Sequence, residues 1–301
     1  MTDEGALAAL TVLDLSEGIA GPYAARLFAE QGARVIKVER PGRGDIARGW
    51  PRERPGLVFA ALNAGKLSLT LDYETPEGAA VLRRLAEDAD AIIEDHPTQR
   101  RDDLGLGDAE LIARAPRLVI AQVSGFGSTG PYSGRPLTTL TLAAAAGLLS
   151  PGRLDEPFHR PLEQVVGVHA YLATLAALWH AAQTEHGQVV EVSGVEALVA
   201  TAGKPLADRL SGPDSVRAGS LAEGYGASVD LAALRAASLL QQVDAAAFGL
   251  LAYPAAPFAL AAAPALAAGR APALGEHNER LLSEIGFDAG EIEALRARGV
   301  V

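Results

Sequence analysis

Short runs of apolar and β-branched residues alternate with helical stretches through the first two hundred residues of this chain. Six runs predict strands: LTVLDLS (10–16), RVIKVER (34–40), KLSLTLD (66–72), AIIED (91–95), LVIAQVSGFG (118–127) and QVVEVS (188–193). Helix signals lie between most of them, such as Thr75 followed by Pro76 at the start of an amphipathic stretch. Strands that alternate with helices indicate a mostly parallel sheet covered on both faces. The sequence therefore predicts a Rossmann-like α/β fold.

Beyond residue 200 the character of the chain changes, and we divide it into three parts. Residues 1–202 form the predicted Rossmann-like large domain. Residues 203–253 are rich in Ala, Leu and Ser, which predicts a reduced helical second region. Residues 254–301 are predicted to be a crossing segment followed by two amphipathic helices that meet at Gly286.

Charge and composition exclude several classes of function. The formal net charge of −11 argues against nucleic acid as a partner, and the absence of cysteine excludes disulfides and thiolate metal sites. The acidic start MTDEGALAAL lacks the basic region of a signal peptide. Two long apolar stretches, 165–182 and 245–269, contain histidines or prolines and much alanine, so we interpret them as a buried helix and an irregular segment. We expect a cytoplasmic protein with no metal and no membrane partner.

A basic cluster interrupts this acidic chain between residues 34 and 54. It contains seven basic and three acidic side chains: Arg34, Lys37, Arg40, Arg43, Arg48, Arg52 and Arg54 against Glu39, Asp45 and Glu53. Such a run is usually a solvated surface. Placed after a strand of an α/β sheet, it also predicts a site for a phosphorylated ligand, which is the interpretation that we favour.

The first strand–turn–helix unit does not support a nicotinamide cofactor. Gly18, Gly21 and Ala24 give the spacing G-x-x-G-x-x-A, whereas the dinucleotide fingerprint is G-x-G-x-x-G. Glu39 at the end of the second strand would suit a ribose, but the glycine spacing is wrong by one residue. The spacing therefore argues against NAD binding at this turn.

Several blocks in order carry a family resemblance: VLDLSEGIAGPYAARLFAEQGARVIKVERPGRGDIARGW, ALNAGKLSLTLDYETPEGAAVLRRLAEDADAIIED, PRLVIAQVSGFGSTGP and HGQVVEVS. Together they resemble the family III CoA-transferases, the CaiB/BaiF group, over roughly residues 10–200, and the resemblance resumes at 271–301. It implies a CoA-binding Rossmann-type domain, a smaller second domain and a C-terminal segment that returns to the large domain. It also implies acyl-CoA and carboxylic acid substrates, no tightly bound cofactor, and an interlocked homodimer or a heterodimer with a homologue.

The resemblance assigns candidate CoA contacts. Arg40 lies where relatives contact the adenosine-phosphate end, and Ala20 lies in the turn that passes the pantetheine. Asn63 and Lys66 remain from a family pattern in which this chain has Ala64 and Leu67 instead of two arginines. Two further positions at or near the CoA cleft are Asp95 and His96.

The candidate nucleophile is Glu163, which falls on the catalytic aspartate of the family. In that chemistry the carboxylate attacks an acyl-CoA thioester, and an enzyme-bound CoA thioester then carries CoA to the acceptor acid. Glutamate can perform the same step, although its extra methylene moves the oxygens by about 1 Å, which can cost on the order of 10²-fold in rate. The alternative is a carboxylate that merely stabilises a helix N-terminus.

Other departures leave the function open between two main hypotheses. The segment between Gly203 and Pro254 is short for the family's small domain, and EGYGAS (223–228) is a weak match to its glycine-rich loop. The first hypothesis is a compact CoA-transferase that uses Glu163; the second is a catalytically degenerate homologue that acts as a binding or partner subunit. A racemase-like isomerase is a further alternative. It would need His159 or His96 as a base, because Thr138 occupies the position of the racemase histidine.

Overall fold

A six-stranded parallel sheet forms the centre of the protein. The computed structural model describes residues 5–95, 102–145, 162–201, 240–244, 249–254, 260 and 269–301. The strands are β1 (Thr11–Asp14), β2 (Arg34–Glu39), β3 (Leu67–Thr70), β4 (Ala91–Glu94), β5 (Val119–Ser124) and β6 (Gln188–Ser193). Their spatial order is β3-β2-β1-β4-β5-β6, with every neighbouring pair parallel. The predicted Rossmann-like α/β fold is confirmed.

Helices cover both faces of the sheet because neighbouring residues of a strand point to opposite sides. The helices are α1 (Ala20–Glu30), α2 (Leu57–Asn63), α3 (Pro76–Glu87), α4 (Asp108–Arg114), α5 (Thr139–Ala145), α6 (Leu162–Thr184), α7 (Gly194–Thr201), α8 (Asn278–Glu284) and α9 (Ala289–Ala297). On one face Val12 and Ile93 pack against α1 and α6. On the other face Leu13 and Ile92 pack with residues of α3, α4, α8 and α9. Each face of the sheet therefore has its own hydrophobic core.

Helix α6 is the longest element and packs against α1. The Phe28 and Tyr171 rings meet edge to face, with their centroids 4.7 Å apart, an arrangement that aromatic pairs favour. By length and composition α6 is the one helix among the described residues that could cross a membrane, and 39% of its most apolar window is buried inside the protein. Its outer side carries exposed apolar side chains, of which Leu172 and Trp179 are 57% and 71% exposed.

The C-terminal segment returns to the large domain and covers the free edge of β3. The backbone N–H of His277 donates to the Ser68 carbonyl, while His277 Nδ1 accepts from the N–H of Ser68. Asn278 Oδ1 accepts from the N–H of Thr70 at 2.8 Å. Side chains thereby replace part of a missing strand. The predicted C-terminal helical return is present, with α8 and α9 separated near Gly286.

Two features differ from the sequence expectation. The first is helix α2, which was not predicted. It begins after Gly56, whose φ of +88° is a left-handed conformation that glycine adopts readily. The second difference concerns the region 203–253, which was predicted to be helical. Strands β7 (Leu240–Asp244) and β8 (Leu250–Pro254) pair antiparallel there, and Gly249, at a φ of +69°, precedes the returning strand. The rest of that region lies outside the described residues, so the domain boundaries stay predictions.

Candidate active site

Glu163 lies in the first turn of α6 and is 9% exposed. Thr139, the first residue of α5, donates its hydroxyl to Glu163 Oε1. Burial raises the pKa of the Glu163 carboxyl, and the hydrogen bonds from Thr139 oppose that shift. A carboxylate that is poorly solvated is more basic and more reactive than one in water. The side chain is therefore suited to chemistry as well as to helix stabilisation.

Gly167 brings α6 into direct contact with the start of α1. A Cβ atom at this position would lie 2.5 Å from the Ala20 carbonyl oxygen and 3.2 Å from Cβ of Tyr23. Residues four apart share a face of a helix, so Glu163 lies one turn from this contact. Ala20 is the first residue of α1 and is buried. The structure thus brings two predicted site residues, Glu163 and Ala20, to neighbouring positions.

The turn between β1 and α1 rests on buried charged groups. The Ser16 carbonyl accepts from Lys37 Nζ, the N–H of Glu17 donates to Asp95 Oδ2, and the N–H of Gly18 donates to Asp45 Oδ1. Burial raises the pKa of Asp95 to about 7, against the opposing hydrogen bond from Glu17. Asp95 therefore supports this turn from the end of β4. His96, the next predicted contact, lies outside the described residues.

Lys66 and Asn63 are buried beside this turn. Lys66 Nζ lies 2.7 Å from Asp14 Oδ2, 2.8 Å from the Pro22 carbonyl oxygen and 2.8 Å from Asn63 Oδ1. These three acceptors match the three hydrogens of an ammonium group. The Asn63 amide also donates to the Phe59 carbonyl. Both side chains are occupied by internal partners, and their predicted contact with CoA stays a prediction.

Arg40 follows β2 and is partly exposed, but it already has a partner. Its Nη2 lies 2.6 Å from Glu74 Oε1, and the hydrogen bond to Glu74 raises the pKa of the Arg40 guanidinium. The same holds for most of the basic cluster: the other ion pairs are Arg34–Glu284, Lys37–Asp45, Arg43–Glu17 and Arg48–Glu39. Within the described ranges only Arg52 and Arg54 of the seven make no ion pair. The cluster has less free positive charge than its composition suggests.

An open cavity of about 470 Å³ lies beside Arg40, at the end of β2. Its lining combines the turn residues Pro41 and Gly42 with the C-terminal segment, including Glu279 and Arg296. No described member of the predicted site lines this cavity. Among the described residues, no group of three or more His, Asp or Glu side chains could hold a metal ion.

Sequence reasoning missed Thr139 and the charged residues beneath the turn. Thr139 is 24 positions from Glu163, and nothing in the local sequence links the two. Lys37 and Asp14 did carry a signal. Each interrupts an apolar strand of a parallel sheet, where both faces are buried, and a charge in such a place requires a buried partner.

A doubly wound parallel sheet with helices on both faces defines an α/β protein of the Rossmann-like class, and a buried carboxylate lies at the start of the helix that packs on α1. The model of CoA-transferase family III matches residues 7–225. The chain belongs to this family.

Named relatives support the assignment. The chain is 36% identical over 197 residues to the succinyl-CoA–D-citramalate CoA-transferase of Chloroflexus aurantiacus, covering 63% of this chain and 49% of the relative. It is 32% identical over 203 residues to the succinate–glutarate CoA-transferase of Agrobacterium fabrum, with coverages of 62% and 50%. It is 35% identical over 198 residues to human α-methylacyl-CoA racemase, with coverages of 64% and 48%. The chain spans about half the length of the curated relatives it matches.

Solved structures share the fold. A CaiB/BaiF family protein from Brucella suis superposes with a TM-score of 0.79 at 22% identity, covering 94% of this chain and all of that one. The Mycobacterium tuberculosis protein Rv3272 gives a TM-score of 0.78 at 23% identity, with coverages of 92% and 99%. At these identities the similarity establishes the architecture alone.

Proposed function

We propose that this chain transfers CoA between an acyl-CoA and a carboxylic acid, with Glu163 as the nucleophile. The observation that carries the proposal is the burial of this carboxylate at the α1–α6 contact, at the position that the resemblance assigns to the catalytic acid. Two of the relatives above are named as CoA-transferases, and both use succinate or its CoA thioester according to those names.

The proposed chemistry needs an ionised Glu163. A carboxylate oxygen attacks the thioester carbonyl carbon and the C–S bond breaks. CoA departs as the thiolate, and a mixed anhydride of Glu163 and the acyl group remains on the enzyme. The thiolate then attacks the Glu163 carbonyl carbon, which releases the donor acid and forms a glutamyl-CoA thioester. The acceptor carboxylate attacks the carbonyl carbon of this thioester, the C–S bond breaks, and a second mixed anhydride forms as CoA thiolate leaves. The thiolate then attacks the acceptor's carbonyl carbon, which gives the new acyl-CoA and releases Glu163 as a carboxylate. The Thr139 hydroxyl holds Oε1 of this carboxylate in place.

Intact-mass analysis tests the proposal most directly. Incubation with succinyl-CoA, and in separate reactions with other acyl-CoAs, should give a protein species heavier by CoA that hydroxylamine removes. Borohydride reduction followed by peptide mapping should place the modification on Glu163. A modification on another carboxylate would refute the assignment of the nucleophile but preserve the reaction class.

We further propose that Arg40 contacts the phosphate groups of CoA, and that Glu74 competes with them for the guanidinium. Arg40→Ala should weaken CoA binding by about 1.5 kcal/mol, the lower end for hydrogen bonds to charged groups. Glu74→Gln should strengthen it by up to about fivefold, since the surface ion pair no longer has to be broken. Calorimetry at low salt measures both effects. Arg114→Ala, which removes an arginine with similar pairing on α4, is the matched control, and equal losses for both arginines would exclude a specific Arg40 contact.

The outer face of α6 supports the proposal of a second chain, either a copy or a homologue. Val168, Leu172 and Trp179 are exposed and lie within about 40° of one another around the helix. Exposed apolar side chains grouped in this way favour a protein interface.

Trp179→Glu should therefore convert a dimer into a monomer, because a carboxylate would be desolvated at the interface. Light scattering at micromolar concentration measures the change. His180→Glu, which adds the same charge about 100° further around α6, should leave the dimer intact. A wild-type chain that is monomeric alone but associates with a co-expressed homologue would select the heterodimer.

The second candidate function is that of a partner subunit without its own chemistry. It is favoured by the length of the sequence match, which covers about half of each of the two named transferases. In addition, a 36%-identical relative from Thauera aromatica is named as the subunit BbsE of a CoA-transferase. Failure to form an adduct with any acyl-CoA, combined with restored transfer by a full-length homologue, would support it. The racemase-like alternative gains no support from Thr138, whose exposed hydroxyl lies 3.0 Å from that of Thr141.

A further inference from the structure

Four charged side chains are buried together beneath the β1–α1 turn. They come from the end of β1, the interior of β2, the loop after β2 and the residue directly before β3. Asp14, Lys37, Asp45 and Lys66 are each at most 3% exposed. Lys37 Nζ lies 2.9 Å from Asp45 Oδ2 and 3.6 Å from Asp14 Oδ1, and Lys66 Nζ lies 2.7 Å from Asp14 Oδ2. We call this set the charge cluster. It contains two positive and two negative charges, so it is balanced when all four groups are ionised.

We propose that the charge cluster is a positioning device for the proposed transfer reaction, in which Lys66 fixes the first turn of α1 and thereby sets the place of Glu163. The proposal rests on the function proposed above. Neither lysine is assigned a contact with the reacting atoms: both act through the backbone that they hold.

The connection from Lys66 to Glu163 is short and made of direct contacts. Lys66 donates to the Pro22 carbonyl in the first turn of α1. Two residues earlier, the Ala20 carbonyl touches α6 at Gly167, where even a Cβ atom would lie only 2.5 Å away. Gly167 is one turn from Glu163 on the same helix. A shift of the α1 start is therefore transmitted to the helix that carries the nucleophile, because there is no free space at the contact.

The same cluster holds the turn itself. Asp45, an acceptor for Lys37, also accepts from the N–H groups of Gly18 and Ala47 at 3.0 and 2.8 Å. Asp14 accepts from the N–H of Ser16 at 3.1 Å and from its hydroxyl. Three of these four contacts hold backbone N–H groups, two in the β1–α1 turn and one in the loop after β2. The cluster therefore specifies the path of the chain from β1 into α1.

Energetics favour a positioning role over simple stabilisation. Removing two ion pairs from water costs several kcal/mol per ion, and well-packed apolar residues of the same volume are often equally stabilising or better. Apolar side chains cannot, however, hold a carbonyl and an amide of a turn in a fixed direction. The charge cluster provides directional hydrogen bonds to the turn, and a hydrophobic core would not.

The two lysines differ in a way that gives the device a pH dependence. Burial lowers the pKa of Lys66 to about 8 and the charge of Lys37 lowers it further, while the carboxylates of Asp14 and Asp45 oppose the shift. The pKa of Lys37 is raised despite its burial, because Asp14 and Asp45 both face it. The remaining groups that face Lys66 are Asn63 from α2 and the Pro22 carbonyl from α1. Above about pH 8 Lys66 loses its charge, and its hold on α1 weakens.

The test compares Lys66→Met with the double variant Asp14→Asn/Lys66→Met. The single variant leaves the cluster with one excess negative charge, whereas the double variant restores the balance without restoring the contact to Pro22. If the cluster positions α1, both variants should show faster amide exchange at Glu17 and Gly18, with the sheet amides still protected. In both variants the transfer rate should fall on the order of 10- to 100-fold, mainly through kcat. The wild-type transfer rate should decrease as the pH rises through about 8, and both variants should lack this decrease, which we call the limb near pH 8. If the single variant does not fold, the double variant supplies all three readouts.

A double variant with native exchange in the turn and native kcat would overturn the proposal, because the charges would then serve stability alone. Amide exchange does not depend on acyl-CoA chemistry, so it decides the positioning role even if wild type forms no adduct. In that event the proposed function fails, while faster exchange in the turn would still show that Lys66 fixes the start of α1. Asp95→Asn is a further control, since Asp95, with its pKa of about 7, also faces this turn and its removal should leave the limb near pH 8 in place.

Discussion

Glu163→Gln should abolish formation of the CoA adduct and reduce transfer to background. The amide keeps the shape of the side chain but has no anionic oxygen to attack a thioester. Stability should be equal to wild type or higher at neutral pH. The reason is that the pKa of Glu163 is raised by burial, so ionising it opposes folding. Intact-mass trapping, the transfer rate and the melting temperature give the three measurements.

The pH profile of the wild type provides an independent check. A carboxyl whose folded pKa is raised binds protons more readily in the folded state, so its contribution to stability is lost as the pH rises through that pKa. Activity changes in the opposite direction, since only the ionised form attacks. Transfer should therefore fall on acidification at a pH above the ordinary pKa of a glutamate.

Glu163→Asp distinguishes a retained family geometry from an adapted one. If the backbone keeps the family's placement, the shorter side chain should restore or raise activity. If α6 has shifted to accommodate glutamate, aspartate should fall short and lose on the order of 10²-fold in rate. Glu77→Gln, at the exposed first turn of α3, is the matched control for loss of a helix-start carboxylate. Unchanged transfer in Glu163→Gln would mean that this carboxylate serves the helix alone.

Gly167→Ala should damage both the stability of the fold and the transfer rate. Its Cβ atom would meet backbone, the Ala20 carbonyl oxygen at 2.5 Å, and backbone cannot rotate away as a flexible side chain can. We expect α1 and α6 to separate, with a loss of about 1–3 kcal/mol in unfolding free energy. Transfer should fall on the order of 10²-fold for a displacement near 1 Å. Chemical denaturation and steady-state kinetics measure the two effects.

Gly134→Ala is the matched control, because nothing lies within 4 Å of an added Cβ there and no positive φ is required. It should behave as wild type in both measurements. A Gly167→Ala variant with native kinetics would show that α1 and α6 can separate without moving the nucleophile, and it would also weaken the connection proposed between Lys66 and Glu163.

The strands and most helices could be predicted because their signals are local. Thr75 accepts from the N–H of Gly78 at the start of α3, as the Thr-Pro pair indicates. Strands of the sheet were recognisable from buried apolar runs that end at charged or small residues. Helix α2 was not, since its seven residues lack a side-chain cap, and the β7–β8 pair lies in an alanine-rich region with little period-two alternation.

The site was predicted less completely because its contacts are long-range. Glu163 and Ala20 were assigned through the family resemblance, and the contact between their helices at Gly167 depends on tertiary packing. Arg40 was assigned a contact with the phosphate end of CoA, and nothing in the local sequence links it to Glu74, its partner 34 positions away. Lys66 was assigned as a CoA contact, and its three internal acceptors, which come from three different elements, were not predicted.

The unequal edges of the sheet limit how copies of this chain could assemble. Side chains of His277 and Asn278 occupy the hydrogen-bonding positions along β3, so a foreign strand cannot add there. At the opposite end, β6 pairs with β5 alone among the described strands. Two copies could pair through their β6 strands about a twofold axis. The outer edges of the joined sheet would then be the two β3 strands, both of which are blocked. Growth into a fibre needs two complementary ends on every copy, and the blocked β3 edge removes one of them.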